Sequence, residues 1–65
     1  MTPAEVRRRV QMIKEIASDD EAAHSMEDAL RHDVLSAIAA GAENAGTLAR
    51  SVLRTSEIAF ERWCA

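Results

Sequence analysis

Apolar residues near the start of the chain recur with the spacing of one helical face. Steps of four, three and four residues separate four of them: Val6, Val10, Ile13 and Ala17. This spacing is typical of an amphipathic α-helix. Three residues give a helix-start signal. Thr2 can cap the helix with its hydroxyl, Pro3 suits the first helical position, and Glu5 follows the cap by three residues. The pattern predicts a first helix over about residues 3–17.

A second helix-start signal lies at Ser18. Glu21 follows it by three residues, and the two aspartates between them place negative charge where the helix dipole favours it. The second helix is predicted to continue to about Ala40, with Gly41 as its C-terminal stop. Since neither glycine nor proline stands in the interval 4–40, one long bent helix is an alternative to two separate ones.

The segment GAENAG, residues 41–46, is the clearest loop. Asn44 can cap a third helix after it. The apolar residues of that helix are Leu48, Ala49, Val52 and Leu53. Two outcomes are open beyond this point: the helix continues to Trp63, or it breaks near Thr55 and a short fourth helix begins. In a continuous helix Ile58 would point away from the apolar face, so its position favours the break.

These patterns predict an all-α protein: a single domain over residues 1–65 with three helices, or four if the last one breaks, joined by short loops. An alanine-rich core is expected between the helices. Its predicted members are Val10, Ile13, Met26, Leu30, Val34, Ile38, Leu48, Val52 and Phe60.

The composition indicates that the chain needs stabilisation by association. Hydrophobic residues make up 48% of it, but many are alanines, which bury little area each. A chain of this size buries only about 60% of the surface that its unfolded form exposes. The single cysteine, Cys64, excludes an internal disulfide. We therefore expect association with a second copy as a homodimer.

The net charge of −3 gives no general attraction to nucleic acid or to an anionic membrane. No apolar run is long enough to span a bilayer, and the N-terminal residues lack the apolar stretch of a signal peptide. A lone thiol fits a reducing compartment. We expect a cytoplasmic protein whose partner is another protein rather than nucleic acid or a membrane.

Motifs for catalysis and for cofactor binding are missing from the sequence. Cys64 has no neighbouring histidine, and a cysteine nucleophile requires a base close by. Neither a nucleotide-binding glycine loop nor an ordered Ser–His–Asp set occurs. We therefore expect a non-enzymatic protein with no catalytic residue and no cofactor.

Carboxylates and histidines line up along the second helix. At about 100° per residue, four of them fall within about 80° of one another: Glu21, His24, Asp28 and His32. Imidazole and carboxylate groups are ligands for zinc, manganese or iron. The apolar arc of the same helix, which includes Leu30 and Val34, lies opposite, whereas ligands in a helical bundle must project into the core. We interpret this acidic/histidine stripe as a solvated face without a metal, with a partner-binding face and a metal site as the alternatives.

Glu27 and Asp33 lie on the two flanks of the apolar arc, where partial burial is expected. Two interpretations of Glu27 are open. Its carboxylate either remains in water or forms a structural ion pair with an arginine of a neighbouring helix, such as Arg7, Arg9 or Arg50. Of these three, Arg50 is the candidate.

The three arginines at residues 7–9, together with Lys14, form a basic patch on the first helix. Three consecutive helical residues spread over about 200°, so they cannot form one row of phosphate contacts. We interpret these arginines as solvated, with an acidic protein partner and nucleic acid as the alternatives.

Residues 45–63 resemble a helix-turn-helix. AGTLARSVL would be its first helix and RTSEIAFERW its recognition helix. The resemblance implies that Ala49 is the small residue at the helix crossing and that Ile58 is the buried anchor of the recognition helix. It also implies a DNA-binding or regulatory protein, which is the alternative function, although Glu57 and Glu61 would stand on the face that meets DNA phosphates.

Two other stretches resemble small uncharacterised proteins of actinobacteria and their phages: DDEAAH with the ED at residues 27 and 28, and the terminal FERWCA. This resemblance implies an intracellular role and a phage or prophage origin. With no catalytic motif present, it favours an interaction protein directed at a host protein. The expected interface, with that partner or with a second copy, contains Ile58, Phe60 and Trp63.

Overall fold

The computed structural model describes residues 1–62. Its helices are α1 (Pro3–Glu15), α2 (Asp20–Ala39) and α3 (Ala45–Leu53), and a 3-10 turn, Arg54–Glu57, follows α3 directly. The part of the chain that is described contains no strand. Each helix packs against the other two. The predicted all-α fold with three helices is confirmed.

Helix α1 begins as its sequence predicts. The Thr2 side chain accepts a hydrogen bond from the backbone N–H of Glu5, with 3.2 Å between N and Oγ1. Pro3 occupies the first turn, where a missing backbone N–H removes no helical hydrogen bond. The N-terminal capping prediction is therefore correct in its residues.

Helix α2 is capped by Asp19 rather than by Ser18. Asp19 Oδ1 accepts a hydrogen bond from the backbone N–H of Ala22 at 3.1 Å. A carboxylate caps as well as a hydroxyl and adds negative charge at the positive end of the helix dipole. Asp19 has an extended backbone (φ −104°, ψ 94°). Because residues 16–19 separate the two helices, the alternative of one long bent helix is wrong.

Helix α2 ends at Ala39, and the chain then changes direction at Gly41. Gly41 has φ +93°, and its N–H donates to the carbonyl of Ile38 at 3.0 Å. The N–H of Ala42 donates to the carbonyl of Ala37 at 3.1 Å. These two hydrogen bonds satisfy carbonyls that the end of a helix leaves unpaired.

The core lies where the three helices meet, and the predicted core residues all contribute to it. Six of the nine predicted members are buried, while Met26, Ile38 and Phe60 are partly buried against them. Three further core residues were not predicted: Val6, Ala23 and Ile58.

Helix α3 ends at Leu53, close to the predicted break at Thr55. The Thr55 hydroxyl donates to the carbonyl of Val52 at 2.9 Å, a side-chain bond that competes with helix continuation. Ile58 is then extended (φ −82°, ψ 127°) and turns inward. Within residues 54–62 no fourth α-helix forms, so the recognition helix that the helix-turn-helix resemblance implies is not formed there.

Replacing Gly41 by alanine tests the stop of α2. A Cβ at Gly41 would meet no atom within 4 Å, so only the positive φ opposes the substitution. We expect Gly41→Ala to lower the free energy of unfolding by about 1 kcal/mol in urea denaturation. Gly46→Ala is the control, because Gly46 lies in the first turn of α3, where alanine favours the helix. An equal loss in both variants would contradict the role of Gly41.

Candidate functional site

Glu27, on α2, is almost completely enclosed, with 2% of its surface exposed. Arg62 binds its carboxylate with two nitrogens, Nε to Oε1 at 2.9 Å and Nη2 to Oε2 at 3.2 Å. Arg31, one turn along α2, places Nη2 3.7 Å from Oε2. Glu27 therefore forms a structural ion pair, but its partners are Arg62 and Arg31, and the prediction of Arg50 is wrong. Arg50 instead donates to Thr47 Oγ1 at 3.4 Å.

Arg62 also holds together the extended segment that carries it. Its Nη2 donates to the carbonyls of Thr55 and Ile58 at 2.7 and 2.9 Å. The guanidinium carbon lies 3.8 Å from the centre of the Phe60 ring, which is a cation–π arrangement. One side chain therefore joins the turn after α3, the segment 58–62 and the buried carboxylate of α2.

Opposing effects set the pKa of Glu27. Burial of the carboxylate raises this pKa, whereas the hydrogen bonds from Arg62 and the positive charges of Arg31 and Arg62 lower it. The lowering effects are larger in total, so the pKa lies below its ordinary value of 4.5. The carboxylate is consequently ionised at neutral pH and does not act as a proton donor there.

Thr55 connects α2 to the end of α3. Its hydroxyl is fully buried, accepts a hydrogen bond from Arg31 Nη2 at 3.3 Å and donates to the carbonyl of Val52. The path Glu27–Arg31–Thr55 therefore sets the position of α3 against α2. Sequence reasoning missed this path, although the four-residue spacing of Glu27 and Arg31 is a recognised signal for a helical ion pair.

The second flank carboxylate, Asp33, pairs with Arg9 of α1 at 2.8 Å. Both side chains are about one third to one half exposed, so solvent screening limits the pair to about 0.5 kcal/mol. The pair links α1 to α2, and Arg9 is therefore one of the three N-terminal arginines that is not free to bind elsewhere.

The acidic/histidine stripe lies on the outer face of α2. Glu21, Asp28 and His32 are exposed and His24 is half-buried. His24 Nε2 lies 3.4 Å from Asp28 Oδ2, one helical turn further along α2. Within residues 1–62, no group of three or more potential ligand side chains is arranged to hold a metal ion.

The predicted interface residues are only partly at the surface. Ile58 is 7% exposed and belongs to the core, because the break after α3 turns it inward. Phe60 is half-buried beneath the guanidinium of Arg62. Trp63 lies outside the described residues. The large apolar side chains most exposed in residues 1–62 are instead Leu35 and Leu53, at 66% and 61%.

Leu35 and Leu53 stand on either side of an open apolar groove between α2 and α3. We call it the α2–α3 groove; its volume is about 270 Å³. Among residues 1–62, Arg31 is the single charged side chain that lines it. The apolar lining consists of Val34, Leu35, Ile38, Ala49, Val52 and Leu53. Exposed apolar surface edged by polar groups is characteristic of sites that bind another chain.

Comparisons with protein-family models, with curated proteins and with solved structures found no match to this chain. Among residues 1–62, the helices are all too short or too polar to cross a membrane.

The ion pair predicts a specific dependence of stability on pH. Because the pKa of Glu27 is lowered on folding, its contribution is fully present above its unfolded pKa and is lost as the pH falls through the lower folded pKa. We expect Glu27→Gln to reduce the free energy of unfolding at neutral pH by about 2 kcal/mol, with a smaller difference at pH values below both pKa values.

Glu43→Gln is the matched control for this variant, because Glu43 is exposed in the loop before α3. It should unfold at the wild-type urea midpoint at every pH. A Glu27→Gln variant that follows the wild-type curve from neutral to acidic pH would show that the ion pair does not stabilise the fold.

The solvated position of the acidic/histidine stripe predicts no response to metals. Zinc, manganese or iron(II) in modest excess should leave the melting temperature unchanged, since a ligand that does not bind the folded state cannot stabilise it. The measurement is differential scanning fluorimetry. A rise of several degrees that disappears in His24→Ala would overturn this prediction.

Proposed function

We propose that this protein acts without catalysis, by binding other protein chains at the α2–α3 groove. The exposure of Leu35 and Leu53, 66% and 61%, is the observation that supports this most. Both leucines flank the same groove rather than standing apart on the surface. Complete burial of one leucine stabilises a complex by about 1.5–3 kcal/mol, so this pair can form the centre of an interface.

The groove is held in shape before any partner arrives. Val34 and Val52, at its base, belong to the buried core, and the hydrogen bond between Arg31 and Thr55 fixes α2 against the end of α3. A surface that needs no ordering on binding loses less conformational entropy. This supports a docking surface rather than a gap left by imperfect packing.

In the purified protein, the α2–α3 groove binds a second copy of the same chain. A two-fold axis brings Leu35 and Leu53 of one copy against the same pair of the other, which is the usual symmetry of homodimers. In the cell, a cytoplasmic host protein binds the same groove. The resemblance of two stretches of the chain to small proteins of actinobacteria and their phages supports a host protein as the target.

Sedimentation equilibrium at micromolar concentration tests the groove directly. The wild type should have the mass of a dimer, while Leu35→Ser and Leu53→Ser should shift it to the monomer. Met12→Ser is the control, because Met12 is 47% exposed on α1, away from the groove. A monomer mass for the wild type, or an equal effect of Met12→Ser, would contradict the proposal.

Affinity capture from an actinobacterial lysate tests the partner. A host protein retained by the wild type and by Met12→Ser should be lost with Leu53→Ser. Salt-sensitive retention of the protein on DNA, with no captured protein, would favour the DNA-binding alternative instead.

A further inference from the structure

A second groove lies between α1 and α3, on the opposite side of α3 from the leucines. We call it the α1–α3 groove; its volume is about 500 Å³. Four cationic side chains line it: Arg7 and Lys14 of α1, Arg50 of α3 and Arg54 of the following turn. A glutamine, a threonine and a serine complete its polar lining, and in the described part of the chain no acidic residue lines it.

None of the four cations of this groove has a carboxylate partner within residues 1–62. Of the eight lysines and arginines, three form ion pairs there: Arg9, Arg31 and Arg62. All but one of the remaining five line the α1–α3 groove, the exception being Arg8. Although the net charge is −3, the unpaired positive charge is therefore concentrated on one face.

The positions of these cations form two facing rows. Arg7 and Lys14 are separated by two turns of α1, or about 10 Å along its axis, and Arg50 and Arg54 are one turn apart. Like charges so close together repel one another, and this repulsion is relieved when anions bind between them. Guanidinium groups bind carboxylates through two parallel hydrogen bonds.

We propose that the α1–α3 groove binds a carboxylate-rich segment of a protein partner. This proposal rests on the proposed function, in that the ligand is a protein chain. It adds a second surface with different chemistry: the α2–α3 groove takes apolar side chains, and the α1–α3 groove takes a short run of glutamate or aspartate. The partner is thus recognised by charge as well as by apolar contact, and charge complementarity also accelerates association.

A short acidic segment fits this groove better than nucleic acid does. The rows are only about two helical turns long, and the molecule measures 34 × 22 × 14 Å. The charge of a nucleic acid continues beyond such a groove, and the net charge of the chain, −3, repels a long polyanion. An acidic peptide segment can end where the groove ends.

An NMR titration of the isotopically labelled protein tests the proposal with a short oligoglutamate peptide as the probe. Amide shifts should concentrate in residues 7–14 and 47–54 and should weaken as salt is added. An oligoglutamine peptide of the same length should produce none. Lys14→Glu and Arg50→Glu should each weaken binding about tenfold, whereas Arg8→Glu, the same charge change outside the groove, should weaken it less than about threefold.

Several results would overturn the proposal. These are the absence of any shift at millimolar peptide, equal losses in Arg8→Glu and Lys14→Glu, and tighter groove-dependent binding of a short DNA duplex at the same salt concentration. Circular dichroism establishes that each variant is folded. Leu53→Ser should retain oligoglutamate binding while losing the dimer mass, so a failure of the α1–α3 groove and a failure of the α2–α3 groove give different results.

Discussion

The buried carboxylate of Glu27 is the constraint on which the arrangement of the last third of the chain depends. A negative charge that is 2% exposed requires cations and hydrogen-bond donors around it. Arg62 supplies two donors and so draws the extended segment 58–62 onto α2. Arg31 supplies a second positive charge and also donates a hydrogen bond to the Thr55 hydroxyl. Ala23 is the one alanine among the buried core residues of the described chain, so the expected alanine-rich core is wrong. The polar cluster adds directional contacts to the apolar packing of that core and so fixes the helix positions more specifically.

The position of α3 gives the two sides of the molecule their different chemistry. On one side of α3, Leu53 faces Leu35 of α2 across an apolar groove. On the other side, Arg50 faces Arg7 and Lys14 of α1 across a basic groove. Since Arg9, Arg31 and Arg62 are engaged with carboxylates elsewhere, the net charge of the chain gives no indication of this separation. A chain of 65 residues thereby presents two grooves of different chemistry, one apolar and one basic.

Local chemistry was sufficient to predict the helices, because their ends depend on residues close in sequence. Thr2 with Glu5, and Gly41 with its positive φ, act over three or four residues. The one-residue error at the start of α2 arises because Ser18 and Asp19 can both cap, and only the backbone conformation decides between them. The end of α3 was located, but the tight turn at Thr55 depends on a buried hydroxyl that no sequence pattern marks.

The candidate sites were harder to predict, because they depend on contacts between distant residues. Glu27 and Arg62 are 35 positions apart, and the sequence also offers Arg7, Arg9 and Arg50 as partners for this carboxylate. Leu35 and Leu53 were not selected as interface residues, since their exposure depends on how α2 and α3 pack. The three arginines at 7–9 do spread around α1 as predicted, and only α3 brings Arg50 and Arg54 beside Arg7.

Binding of another chain at the α2–α3 groove can be tested by following amide chemical shifts while the purified protein is diluted. Binding of a second copy at this groove predicts concentration-dependent shifts at Leu35, Ile38, Ala49 and Leu53, with constant shifts around Met12 on α1. Shifts that do not change with concentration, or changes centred on Met12, would contradict binding of a second copy at the α2–α3 groove.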